Sequence, residues 1–192
     1  MRKIIAERIV VISLLLITAF IYFMQQYSWN KSFTIDATSA FEINAISDIS
    51  VTNGKSISSY RIDDDKIILS CEIIASDYTW PFCELTFQFH DPHSIDHKFG
   101  IDLSSFDTVT IDANYTNIAP QGIRFQLRNF NPAYSNLKDE TSLKYNAVEY
   151  FLYGKTNKIT IPLESLQVAS WWLFQQKLPM KYAAPELENI MV

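Results

Sequence analysis

Residues 122–130 read GIRFQLRNF, and the alternation of side chains in this stretch decides the fold class. Apolar and polar side chains take opposite parities: Ile123, Phe125 and Leu127 against Arg124, Gln126 and Arg128. Successive side chains of a β-strand point to opposite faces, whereas a helix needs apolar residues every three or four positions. The stretch therefore predicts a strand with one apolar and one polar face.

Similar short segments follow one another along the chain at spacings of about 10 to 20 residues. They are residues 66–74, 83–90, 106–115, 147–153 and 158–163. Asn53-Gly54 and Asp63–Asp65 predict hairpin turns between such strands, and residues 163–176 predict a short helix or ordered loop. This pattern predicts an all-β domain, an antiparallel β-sandwich of the jelly-roll kind.

Residues 9–24 contain sixteen residues without a charge. With residues 25–27 they predict one N-terminal transmembrane helix over 9–27, because nineteen helical residues nearly span the roughly 30 Å of bilayer hydrocarbon. Arg2, Lys3 and Arg8 place residues 1–8 in the cytoplasm and the domain of residues 28–192 outside. A cleaved signal peptide is the alternative, but no small-x-small cleavage site follows the run.

The charge balance bears on the class of partner. Of the chain's 16 basic and 21 acidic residues, Arg2, Lys3, Arg8 and Glu7 precede residue 28, which leaves residues 28–192 a net charge of −7. Such an acidic domain has no electrostatic attraction for nucleic acid. An apolar content of 48% also excludes a disordered chain.

Cys71 and Cys83 are the only cysteines, and both lie at apolar positions of predicted strands. A hairpin of 67–74 with 82–90 would place them opposite each other, with Leu69 facing Leu85 and Ile67 facing Phe87. Glu84, Thr86, Gln88 and His90 would then point outward. Directly opposed cysteines in an oxidising compartment predict a disulfide, and two reduced core thiols are the alternative.

Polar and aromatic residues around 122–134 predict a binding surface for a small polar ligand or a saccharide. The candidate ligand-binding residues are Trp80, Arg124, Gln126, Arg128, Asn129, Tyr134, Trp171 and Trp172. In the alternative interpretation, the arginines form surface ion pairs with acids such as Glu149 and the tryptophans pack in the core.

Catalytic and metal-binding patterns are scarce. His90, His93 and His97 could hold a metal ion, but their spacing fits no known structural zinc pattern, and we interpret the segment as a solvated loop without metal. The sequence contains no G-x-S-x-G, H-E-x-x-H or glycine-rich phosphate loop. We therefore expect a non-catalytic domain that uses no cofactor.

Four motifs carry a resemblance to a known family. Residues 78–83 read YTWPFC, 100–107 GIDLSSFD, 127–134 LRNFNPAY and 167–172 QVASWW. On these motifs, residues 71–192 resemble the extracytoplasmic N-terminal region of bacterial membrane-bound GGDEF proteins, the diguanylate cyclase family. The resemblance implies a galactose-binding-type jelly roll, similar to carbohydrate-binding modules, that senses an external cue for a cytoplasmic domain making cyclic di-GMP.

The chain departs from that family because it contains no Gly-Gly-Asp-Glu-Phe signature and no second apolar span. We therefore expect a non-catalytic sensory region of a single-pass bacterial inner-membrane protein, with a periplasmic domain that is incomplete at its C-terminus. A freestanding tethered carbohydrate-binding module is the alternative, and a periplasmic glycan hydrolase is a third hypothesis. A homodimer remains open.

Overall fold

The computed structural model describes residues 2–29, 32–39, 41–51, 53–89, 100–115, 121–152 and 156–192. The chain divides into two compact units, Met1–Thr34 and Ile35–Val192. The first unit contains one helix of 28 residues, α1 (Arg2–Trp29). The described side chains of α1, at positions 11–24, are all exposed. Within the described ranges, no helix has both the length and the apolar character needed to cross a membrane.

The second unit is built mainly of antiparallel strands, which confirms the predicted all-β class. The strands are β1 (Glu42–Ser47), β2 (Ile57–Asp63), β3 (Lys66–Glu72), β4 (Cys83–Gln88), β5 (Thr108–Asn114), β6 (Gln121–Asn129), β7 (Lys144–Leu152), β8 (Thr156–Pro162) and β9 (Gln167–Val168). The short helices are α2 (Asp48–Val51), α3 (Ser170–Gln175) and 3₁₀ turns at Glu140–Ser142, Leu163–Ser165 and Met180–Tyr182. The helix and 3₁₀ turn within residues 163–176 agree with the sequence prediction.

Strand pairing groups these elements into four antiparallel sheets, β1-β4, β2-β3, β5-β8 and β6-β7-β9. The apolar face of β6 points into the main core, as its alternation predicts. Leu127 is buried there with Leu103, Leu163, Leu166 and Ile190. Phe125 of β6, Val148 of β7 and Val109 of β5 pack against this cluster.

Residues 187–192 form a strand-like segment, here called the 187–192 segment, that joins two of the sheets. On one side, Phe89 N at the end of β4 donates to Met191 O at 2.8 Å. On the other side, Met191 N donates to Arg128 O at 2.8 Å, and Arg128 N donates to Val192 O at 2.8 Å. Ile101 and Ile190 also exchange two backbone hydrogen bonds. The β1-β4 pair and β6 are therefore bridged by this segment.

Gly100 lies where the 187–192 segment approaches most closely. A Cβ atom at this position would lie 2.5 Å from the backbone carbon of Asn189 and 2.7 Å from Ile190 O. Because both are main-chain atoms, they could not move aside as a flexible side chain could. The Gly100 N–H instead donates to Asn189 Oδ1 at 2.9 Å.

The predicted disulfide is confirmed, because Cys71 and Cys83 are bonded with their Cα atoms 5.9 Å apart. The predicted hairpin that placed them opposite each other is wrong. β3 pairs with β2, so Leu69 faces Tyr60, while β4 pairs with β1, so Leu85 faces Ala45. The two-residue connection Asp64-Asp65 returns the chain directly onto β2, which leaves β4 to find another partner. The bridge thus joins two different sheets.

Two local predictions on either side of β2 had different outcomes. The Asp63–Asp65 turn is confirmed, and Asp64 has the positive φ of 55° that a tight turn uses. The Asn53-Gly54 hairpin is wrong, because α2 follows β1 and the buried Asp48 accepts a hydrogen bond from Ser56 N at 2.8 Å. On β4, Thr86 is buried instead of pointing into solvent.

Candidate functional site

The eight predicted site residues separate into three groups in the structure. Gln126 and Arg128 belong to a polar group with Trp171 nearby. Asn129, Tyr134 and Trp172 belong to a buried group around Glu186. Arg124 and Trp80 each lie on the surface with a local partner. Alternation along β6 separates Arg128 from Asn129, but it does not predict which side chains of other elements join each of them.

The first group, here called the Arg128 cluster, consists of Glu84, Gln126, Arg128, Tyr145 and Trp171. Glu84 Oε1 accepts from Gln126 Nε2 at 2.8 Å and forms an ion pair with the buried Arg128 guanidinium. That guanidinium lies 4.6 Å from the centre of the Tyr145 ring. Tyr145 meets Trp171 edge to face, with ring centres 4.9 Å apart. The cluster therefore runs from a buried ion pair to an aromatic surface.

Two opposing effects act on the pKa of Tyr145 in the Arg128 cluster. Burial raises the pKa of the Tyr145 hydroxyl, although the positive charge of Arg128 opposes the shift. Tyr145 is therefore a neutral phenol at neutral pH.

Arg128 Nε and Gln88 Oε1 are buried and find no hydrogen-bond partner among the described residues. Unsatisfied buried groups of this kind mark places where water or a ligand completes a polar network.

Trp171 gives the Arg128 cluster an accessible aromatic face, because 47% of this residue is exposed. It lies at the start of α3, which β9 places beside β7 through the pairing of Asn146 with Val168. An exposed indole beside amide, carboxylate and guanidinium groups can stack on a ring and hydrogen-bond to hydroxyl groups. The arrangement suits a small polar ligand.

The second group, here called the Glu186 cluster, is a network of polar side chains on the other side of β6. Its members are Asn129, Asn131, Tyr134, Lys144, Asn146 and Glu186. Lys144 is fully buried, forms an ion pair with Glu186 and donates to Ala184 O at 3.2 Å. Glu186 Oε2 accepts from Asn131 Nδ2 at 2.9 Å and from the Tyr134 hydroxyl at 3.0 Å.

The backbone of Glu186 is held as firmly as its side chain. Glu186 N donates to Asn146 Oδ1 at 3.2 Å, and Asn146 Nδ2 donates to Glu186 O at 3.2 Å. Asn146 Nδ2 also lies 3.1 Å from Asn129 Oδ1. The cluster therefore fixes the chain just before the 187–192 segment onto β6 and β7.

Opposing effects act on the ionisable groups of the Glu186 cluster. Burial alone would raise the pKa of the Glu186 carboxyl, but hydrogen bonds from Lys144, Asn131 and Tyr134 outweigh it and lower that pKa. Burial raises the pKa of the Tyr134 hydroxyl; a hydrogen bond from Asn129 opposes this shift, and the Glu186 charge adds to it. At neutral pH, Glu186 is a carboxylate and Tyr134 a neutral donor to it.

Trp172 packs in the interior, as the alternative interpretation of the tryptophans proposed. It is fully buried, its Nε1 donates to Thr141 O at 3.2 Å, and its ring meets Tyr134 edge to face at 5.4 Å. Tyr134 also packs against Tyr182 at 5.3 Å. The residues of the 127–134 and 167–172 motifs thus meet in one aromatic and polar cluster.

Arg124 and Trp80 lie apart from both clusters in their described contacts. Arg124 Nη2 pairs with Glu149 Oε1 at 2.5 Å, and both side chains are exposed. This is the surface ion pair proposed as the alternative for Arg124. Trp80 is 74% exposed and meets Tyr78 edge to face at 6.5 Å.

Several residues that complete the two clusters were not predicted from the sequence as site residues, chiefly Glu84, Tyr145, Lys144 and Glu186. Glu84 could have been found from the alternation of β4, which places it on the polar face of that strand. Alternation along β6 likewise places Gln126 and Arg128 on the polar face of β6. Lys144 and Glu186 carried no such signal. They are 42 residues apart and meet only because the chain before the 187–192 segment returns to β7.

A metal site has no support in the described part of the chain, where no group of three or more His, Cys, Asp or Glu residues could hold an ion. The histidine segment with His90, His93 and His97 lies outside the described residues. Comparisons with protein-family models, with curated proteins and with solved structures each found no match to this chain.

Proposed function

We propose that this chain is the non-catalytic, membrane-anchored sensory region of a bacterial GGDEF-type signalling protein, and that the Arg128 cluster is its ligand-binding site. The observation that carries the binding role is the exposed Trp171 ring beside Tyr145 and the Arg128–Glu84 ion pair. Aromatic stacking combined with convergent polar groups is typical of sites for small polar ligands. A saccharide is the ligand class that fits best.

The proposal divides the family-like motifs by role. Asn129, Tyr134 and Trp172 belong to the Glu186 cluster and hold the domain together, whereas Trp171 is exposed to a ligand at the edge of the Arg128 cluster. A jelly roll of the galactose-binding kind is proposed on the four motifs and on the antiparallel pairing of every described sheet. The uncharged run of residues 9–24 supports an anchor in the inner membrane, with residues 28–192 in the periplasm.

Binding is tested with the full chain in detergent on an array of neutral and acidic saccharides, followed by calorimetry with each sugar that binds. Trp171→Ala is expected to weaken binding about tenfold, since a lost stacking contact costs roughly 1.5 kcal/mol. Trp80→Ala is the matched control, because it removes another exposed indole and should leave affinity unchanged. Equal affinities for the wild type and Trp171→Ala would contradict the assigned site.

A freestanding tethered carbohydrate-binding module is the second candidate, favoured by the accessible Trp171 ring. The two candidates differ in what the gene encodes beyond codon 192. Sequencing the downstream DNA separates them: an in-frame apolar span followed by a Gly-Gly-Asp-Glu-Phe motif supports the sensor. An immediate stop codon supports the module.

A further inference from the structure

The hairpin of β2 and β3 has one apolar face that is largely exposed. In its register Tyr60 faces Leu69 and Ile62 faces Ile67, so these four side chains lie on the same face. Tyr60 is 40%, Ile62 51% and Leu69 36% exposed. A two-stranded sheet with an open apolar face buries little surface by itself.

The outer edge of β3 is available for pairing. A two-residue connection closes the hairpin, so Asp63 and Lys66 are a hydrogen-bonding pair, and the backbone groups of Ile67, Leu69 and Cys71 point away from β2. In the part of the chain that the structure describes, β3 pairs with β2 alone. Such an edge pairs readily with another extended strand.

The charges of Lys66 and Glu72 at the two ends of β3 favour one partner strand and one pairing register. Lys66 and Glu72 lie three residues on either side of Leu69, and neither forms an ion pair among the described residues. An antiparallel copy of β3 centred on Leu69 would place Lys66 opposite Glu72 of the copy, twice. Opposite charges at such cross-strand positions are stabilising.

Neighbouring registers are less favourable. Centred on Ile68, the antiparallel pair would place Glu72 opposite Asp64, which brings like charges together. Centred on Ser70, it would place Glu72 opposite Ile68 and Lys66 opposite Ile74. A parallel, in-register pair would place each Lys66 beside the other Lys66. Only the register centred on Leu69 pairs both charges and brings the two Leu69 side chains together.

We propose that a second copy of this chain docks on the β3 edge, in an antiparallel twofold pairing centred on Leu69. The two hairpins then form one four-stranded sheet, and the Lys66–Glu72 pairs fix its register. A twofold interface of this kind is self-complementary, because each copy presents the same surface. This inference does not depend on the proposed ligand or on the family resemblance.

A charge exchange tests the interface by sedimentation velocity of the full chain in detergent micelles. Lys66→Glu and Glu72→Lys are each expected to raise the dimer dissociation constant about tenfold, since each creates two like-charge contacts. The double variant should restore the wild-type constant. An equimolar mixture of the two single variants should also dimerise, because their charges complement each other. Arg61→Glu is the control, with the same charge change on β2.

A zero-length carbodiimide cross-link provides a second measurement. Within one chain, Lys66 and Glu72 are six strand residues apart, about 20 Å, so an amide between their side chains can form only between copies. Mixing isotope-labelled and unlabelled chains should give a labelled–unlabelled Lys66–Glu72 peptide. A monomer, a dimer without this cross-link, or a double variant that stays dissociated would each overturn the proposal.

Discussion

Lys144 is fully buried, and its ammonium group depends on Glu186 for a counter-charge. Removing one partner of a buried ion pair leaves the other desolvated, which typically costs 3–5 kcal/mol. The Glu186 side chain is 32% exposed, so water can replace part of the lost interaction. Removing the Glu186 carboxylate should therefore cost less than this typical value.

Acid should weaken the domain through Glu186. Its pKa is lowered in the folded state, so its contribution is present above the ordinary value of 4.5 and is lost as pH falls through the folded pKa. We expect the urea midpoint of the wild type to fall as the pH drops below 4.5. In Glu186→Gln the free energy of unfolding should be lower by about 2 kcal/mol at pH 7, and it should change less with acid.

Glu188→Gln serves as the control for this experiment, because it removes an exposed carboxylate two residues away. It should keep both the wild-type midpoint and its decline in acid. If Glu186→Gln shows the same acid profile as the wild type, another group is responsible for the decline.

Individual residues were predictable from the sequence where a contact follows from strand alternation. Arg124 and Glu149 face each other across β6 and β7, and the alternative interpretation named that pair. The Glu186 cluster was not predictable, because it depends on a chain reversal between residues 144 and 186 that no local pattern encodes. Trp171 and Trp172 are adjacent in sequence, but α3 buries Trp172 and leaves Trp171 exposed.

At the scale of elements, strand segments were easier to predict than strand partners. Residues 66–74, 83–90 and 106–115 each contain a strand of the structure, and residues 122–130 overlap β6 in all but its first residue. Their pairing depends on turn length, and the two-residue turn after β2 decides the partner of β3. The sequence placed the disulfide correctly but for a wrong reason, because alternation predicts that two cysteines face inward without saying which sheets they join.

The disulfide is expected to anchor the β2-β3 hairpin, which has little buried surface of its own. Cys71 and Cys83 are 12 residues apart, and a cross-link over a loop of that size stabilises the fold by about 3 kcal/mol, because it lowers the chain entropy of the unfolded state. In Cys71→Ser/Cys83→Ser, amide hydrogen exchange should accelerate in β2 and β3 but not in β6 and β7. Wild-type protein treated with reductant should behave like the double variant, and unchanged exchange in β2 would refute the anchoring role.

At the scale of the whole molecule, α1 forms a unit separate from the β domain. In the proposed function this helix anchors the domain in the inner membrane. Its described side chains, at positions 11–24, are exposed and mostly apolar. Anchoring would also concentrate copies of the domain at one surface.

Membrane anchoring predicts that the full chain sediments with bacterial membranes, resists an alkaline carbonate wash and dissolves in detergent. Leu15→Lys should release a large fraction into the wash, because a charge at the centre of a span costs about 3 kcal/mol. Gln25→Lys is the control, since a lysine just beyond the uncharged run can reach the interface. Release of the wild type by carbonate would argue against the anchor.

The position of the 187–192 segment also determines the order of events during biosynthesis. This segment follows every strand in sequence, yet it lies between Phe89 and Arg128, which are otherwise about 40 residues apart in the chain. While the polypeptide is being synthesised, the edges of β4 and β6 that pair with this segment stay open until residues 187–192 have been made. Contacts of such long sequence separation slow folding, so the nascent domain depends on protection from aggregation until this segment has paired.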